Sequence, residues 1–145
     1  MVINIDDIII PEEFQKSVPE ANKLRKCRDN YNAGIIDRAI LINKDNVLVD
    51  GYILYLILKE HNQTKIRVTK GDIYICGTHP NNEKEYFWRV QNTDYKSAAR
   101  KKNKYAIVDT KNGINVVKVK DVFFSEIPPV STPIRKVVRF CGCYL

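Results

Sequence analysis

Apolar and polar residues alternate over Val2-Ile3-Asn4-Ile5, as in a short half-buried strand, and Ile8-Ile9-Ile10 then stops at Pro11. Ser17-Val18-Pro19-Glu20 has the spacing of a capping box, in which the Ser17 hydroxyl accepts from the third helical amide and Glu20 reaches back. The pattern predicts a helix from about Pro19 to Arg28, with Leu24 and Cys27 on its inner face, closing before Asn30-Tyr31-Asn32-Ala33-Gly34. Ala39-Ile40-Leu41-Ile42 and Val47-Leu48-Val49 flank the polar tetrad Asn43-Lys44-Asp45-Asn46, which predicts a hairpin. Asp50-Gly51 then opens the apolar run Tyr52 to Leu58, long enough with Lys59-Glu60-His61 to be a buried helix. Lys65 to Thr69 alternates as a strand, and Ile73-Tyr74-Ile75-Cys76 is a further candidate.

Polar residues dominate from Gly77 to Glu85, and a lobe boundary is placed there. Beyond it, Tyr86-Phe87-Trp88-Arg89-Val90 reads as an aromatic-rich strand and Arg100-Lys101-Lys102-Asn103-Lys104 as a basic loop. Tyr105 to Thr110 and Ile114 to Lys120 are two strands around Lys111-Asn112-Gly113, a turn whose glycine supplies positive φ. Val122-Phe123-Phe124 continues the second strand or starts another. Ile127 to Pro133 is expected as extended linker, since proline cannot serve a central ladder, and Arg135 to Phe140 as the strand that closes the sheet.

Length changes this picture little: 145 residues can bury one ordinary core or two small ones. Apolar residues at 44% against 28% charged describe a folded chain rather than a disordered one. No apolar run approaches the twenty or so residues of a membrane span. The start, Met1-Val2-Ile3-Asn4-Ile5-Asp6-Asp7, lacks a basic region ahead of an apolar stretch, so a cytoplasmic location is expected. Wealth in Ile, Asn and Lys suggests a low-GC genome. Charge is the informative quantity. Residues 1–80 hold 11 Lys and Arg against 11 Asp and Glu, while residues 81–145 hold 13 against 6, so the whole net charge of +7 lies in the second half. A local positive potential of that kind favours a polyanionic partner.

The order of short strand, Pro11-Glu12-Glu13-Phe14, helix, hairpin, Asp50-Gly51, buried helix and strand resembles the ParB/sulfiredoxin-type N-terminal domain, often called a ParB-like nuclease domain, over about residues 3–69. Its most specific element is Asn46-Val47-Leu48-Val49-Asp50-Gly51-Tyr52, a strand running into an acidic-glycine turn and a helix start. The resemblance implies an α+β chain: a ParB/sulfiredoxin-like lobe over 1–76, a linker over 77–85, and a basic, β-rich, barrel-like lobe over 86–145, of the kind appended in phage and mobile-element proteins. It also implies a phosphate seat at Gly51 and Tyr52, where unpaired helix-start amides meet a closely approaching backbone. Asp50-Gly51-Tyr52 has no reactive cysteine, which argues against sulfinic-acid reduction, and Tyr52 to Tyr55 lacks the arginine pair that the CTP-using partition proteins carry. For phosphodiester cleavage the nearby candidates are Asp50, Glu60 and His61, for which a turn aspartate and a polar helix end are the plainer account.

Two further constellations carry chemistry. Tyr86, Phe87, Trp88, Tyr95 and Tyr105 interleave with Arg89, Lys96, Arg100, Lys101, Lys102 and Lys104, as in proteins that stack single-stranded bases while cations follow the phosphates. Trp88, Arg89, Lys96, Arg100, Lys101, Lys102 and Lys104 are therefore the expected nucleic-acid contacts, with core packing the competing role for Trp88. Cys76-Gly77-Thr78-His79 and Cys141-Gly142-Cys143 form a four-ligand set for a structural zinc, the one cofactor the residues suggest; isolated thiols are the plainer account.

The function these features favour is that of a non-catalytic nucleic-acid-associated or regulatory protein of a phage, plasmid or low-GC bacterium. A ParB-like nuclease or nucleotide-phosphate enzyme using Asp50 is the second reading. A protein–protein module, such as a phage inhibitor of a host defence protein, is the third.

Overall fold

The computed structural model describes residues 1–141 and divides into two compact units at Lys70/Gly71. In the first unit, β1 (Val2–Asn4) leads into a 3-10 turn at Ile5–Asp7, started by the Asn4 side chain accepting from the Asp6 amide at 2.9 Å. Two helices follow, α1 (Glu12–Lys16) and α2 (Ala21–Asn32). Ser17 does not cap α2 as expected. Its hydroxyl instead donates back to the Phe14 carbonyl at 2.6 Å and ends α1, because Val18 precedes a proline and is held extended. The helix also runs past Arg28 to Asn32, where Tyr31 packs its ring 4.4 Å from that of His61.

The expected hairpin forms from β2 (Leu41–Ile42) and β3 (Leu48–Asp50). Asn43 builds its turn by accepting from the Asp45 and Val47 amides at 2.8 and 3.0 Å. Asp50-Gly51 then joins strand to helix, as the sequence predicts, and α3 (Tyr52–Glu60) follows. Gly51 has φ +93, and a Cβ there would run into the Ala39 carbonyl and lie 2.9 Å from the Ile40 Cα. Only glycine makes this junction without strain. β4 (Lys65–Arg67) pairs antiparallel with β1, and β5 (Thr69–Lys70) pairs parallel with β2. Ile5, Cys27, Ile40, Ile42, Leu48, Ile57 and Val68 lie in the core between these elements.

The second unit is built on β6 (Asp72–Thr78), β7 (Glu85–Val90), α4 (Tyr95–Ala99), β8 (Tyr105–Thr110), β9 (Gly113–Ser125) and β10 (Val137–Phe140). Its five-stranded sheet runs in the order β10-β8-β9-β6-β7 with antiparallel neighbours. The boundary expected over 77–85 is thereby displaced. Residues 72–78 form an interior strand of this sheet, hydrogen-bonded on both sides, and 79–84 is the loop of its hairpin with β7. The polar composition of that loop reflects a surface turn rather than a linker.

The edge strand β7 meets the chain just before β10 at one parallel bridge, Arg89 with Lys136. A single bridge does not close a barrel, so the barrel-like expectation gives way to an antiparallel sheet; the α+β class stands in the mixture of helix and sheet. Among the described residues no helix is long and apolar enough to cross a membrane.

Candidate nucleic-acid interface

The side chains expected to carry catalysis are not brought together. Asp50 lies before the first residue of α3 and accepts from the Gly51 amide at 3.0 Å. Glu60 and His61 lie at the other end of that helix, about 13 Å away at 1.5 Å per residue. Glu60 is gripped by Arg28 through two bonds of 2.8 Å, and that hydrogen bonding first, then the guanidinium charge, holds its carboxyl below the ordinary value despite some desolvation. His61 places Nδ1 2.9 Å from the Ile57 carbonyl. The expected phosphate seat at Gly51 and Tyr52 meets the same obstacle, since a carboxylate already takes the Gly51 amide at the positive end of the helix. The Tyr52 ring packs 5.2 Å from Phe14 and 6.0 Å from Tyr55.

Nor do the described members of the zinc set come together. Strand alternation puts Cys76 on the face of β6 opposite to Ile75 and Gly77, whereas the His79 ring rests against Tyr86 and Trp88, the cross-strand partners of Gly77 and Ile75. Burial, followed by a hydrogen bond to Glu85, pushes the Cys76 thiol up to about 11, away from the thiolate a metal requires. Cys141 is buried, Cys143 lies outside the described residues, and no cluster of three ligating side chains occurs among the described ones.

Two of the expected nucleic-acid contacts are structural. Trp88 pairs with Ile75 in β6 and is 4% exposed, with its indole N–H donating to the Asp109 carbonyl at 3.0 Å. Gly77 makes room for it: a Cβ there would lie 3.2 Å from the edge of the indole ring. A buried indole with its one donor satisfied belongs to the core and offers no face to a base. Arg89 is half-buried and faces Asp72 at 3.6 Å.

The remaining cations do converge. Asp94 caps α4 by accepting from the Ser97 amide at 3.2 Å, and Ala98, fully buried, anchors the helix. The following turn is stitched to β9 by two backbone bonds of 2.8 Å, from the Asn103 amide to the Val119 carbonyl and from the Val119 amide to the Lys104 carbonyl. Lys96, Arg100, Lys101, Lys102 and Lys104 are thus carried on a short helix and turn held against the sheet rather than on a free loop. Of these, only Lys102 has an acidic partner among the described residues, Asp121 at 3.8 Å, with both side chains more than half exposed. Such a pair is worth little and leaves the ammonium available.

Lys118 and Lys120, exposed on either side of buried Val119, join this group through the same stitches. They were missed as contacts. The alternation Val117-Lys118-Val119-Lys120 shows that both lysines face solvent, but nothing local shows that Val119 lies against Lys104.

No family model matches the chain, and no curated protein matches it. Among solved structures it is similar to two of a pNOB8-like ParB N-domain. One is 21% identical with a TM-score of 0.43 and covers 48% of this chain and 28% of that one. The other is 23% identical with a TM-score of 0.42 and covers 48% and 26%. The chain therefore spans little more than a quarter of the length of either.

Proposed function

We propose that this chain is a nucleic-acid-associated protein whose second unit holds a phosphate backbone on the cationic platform of Lys96, Arg100, Lys101, Lys102 and Lys104, extended by Lys118 and Lys120. The observation that carries this reading is the convergence of side chains separated in sequence, with one weak acidic partner among the loop cations, on a backbone already stitched to the sheet. Pre-positioned cations lose less freedom on binding, and their summed potential attracts a polyanion. The enzymatic alternative has no comparable support, because Asp50 is separated from Glu60 and His61 and each is engaged locally.

The test is the salt dependence of binding to a duplex oligonucleotide. Each phosphate contact releases counterions, so replacing Arg100, Lys101, Lys102 and Lys104 together with Ser flattens the log-log slope by up to about 3–4 units. These side chains lie at the surface, so circular dichroism of the variant remains that of the wild type. Wild-type protein that shows no salt-sensitive binding at low ionic strength overturns the proposal.

A further inference from the structure

On the sheet face carrying Tyr105, Ile107 and Asp109 of β8, the register places Lys118, Val116 and Ile114 of β9 directly opposite, and Arg139 of β10 beside Ile107. Three side chains of this face are exposed, Ile114 at 65%, Val116 at 41% and Tyr105 at 37%. Tyr105 stacks on no other ring and its hydroxyl has no hydrogen-bond partner among the described residues. Cations lie on both strands that flank β8, about 10 Å apart across two strand spacings. The register also places acids on this face: Asp109 lies 3.4 Å from Arg135 and Asp121 lies 3.8 Å from Lys102, while Glu85, across Thr78 from Lys118, is hydrogen-bonded with the Cys76 thiol.

We infer that this face binds single-stranded nucleic acid, Tyr105 stacking on a base while Lys118 and Arg139 take phosphates on either side. This rests on the proposal above and narrows it. An exposed ring between two cationic strands suits an unpaired base, whose π face is available, and not a duplex, whose bases are stacked on one another. The apolar side chains beyond the ring, Ile107 and Val116, extend a surface for the neighbouring base. Charge complementarity selects this occupant over an acid-poor protein surface.

The test compares binding of oligo(dT) and a duplex of equal length to the full chain. Tyr105→Leu keeps apolar volume and removes the ring; it weakens oligo(dT) binding about 5- to 150-fold with an unchanged salt slope. Tyr105→Phe restores binding, and neither variant alters duplex affinity. Lys118→Ser with Arg139→Ser flattens the single-strand slope by about 1.4 units. Oligo(dT) affinity unchanged in Tyr105→Leu overturns the inference. If duplex binding keeps its dependence on the Arg100 to Lys104 cations in that case, the broader proposal survives, whereas loss of all binding removes both. Concentration-dependent self-association of the wild type that Val116→Lys abolishes would assign the face to a second copy of this chain and likewise overturn it.

Discussion

Truncating Trp88 to alanine distinguishes a core indole from a base-stacking one. The side chain is 4% exposed, its N–H is satisfied by the Asp109 carbonyl at 3.0 Å, and its ring lies 5.9 Å from His79 and 6.2 Å from Tyr86. Removing a buried aromatic of this size costs about 3–5 kcal/mol in transfer and cavity terms, and the abandoned carbonyl adds about 1 kcal/mol. Against a stability of about 5–15 kcal/mol for a small domain, that is a large share. Native-state hydrogen exchange suits the measurement, because the amides of β6 and β7 report on Trp88 while those of α3 serve as a reference in the other unit. Protection in β6 and β7 falls by about three to four and a half orders of magnitude, with α3 unchanged. A fall below tenfold, accompanied by lost single-strand affinity, would refute the burial argument and return Trp88 to the binding surface. Trp88→Phe, which keeps a ring in the core, binds oligo(dT) like the wild type.

Gly51→Ala places a side chain at φ +93 and drives its Cβ at the Ala39 carbonyl, so thermal unfolding shows a loss above about 1–2 kcal/mol, the left-handed backbone cost alone; a smaller loss contradicts the close approach. The Cys76 thiol, raised to about 11 by burial first and Glu85 second, stays protonated at neutral pH. The unfolded chain releases that proton first, so this contribution to stability is intact below the ordinary thiol value of 9.0 and is lost as pH rises from there toward about 11. Carbon-13 labelled cysteine NMR checks this: Glu85→Gln lowers the midpoint, and a midpoint already near 9.0 in the wild type refutes it.

Where the signal is local, the elements were legible in the chain itself. Asn43 and Asn46 turn the first hairpin, the latter at φ +63, and Gly113 turns the β8–β9 hairpin at φ +103; each conformation is written in the residue that adopts it. The apolar run after Gly51 is helical because it is too long and continuous for a half-buried strand. Asp94 ahead of Tyr95 is a cap signal of the same local kind, yet α4 has only five residues and escaped notice.

Tertiary structure decided the questions that local pattern leaves two-valued. Alternation requires Phe87 and Trp88 to face opposite ways, but only the register of Ile75 with Trp88 and Gly77 with Tyr86 chooses which of them enters the core. The apolar strand 72–78 would serve either unit, and pairing with β7 and β9 on both its sides assigned it to the second. The same holds for the cations. Composition located the positive charge, while its gathering into one platform needed two backbone bonds between Val119 and the turn at Asn103 and Lys104. Periodicity constrains the two faces of a strand and the spacing along it; which strands become neighbours is settled by long-range pairing, whose energy resides in contacts between residues far apart in the chain.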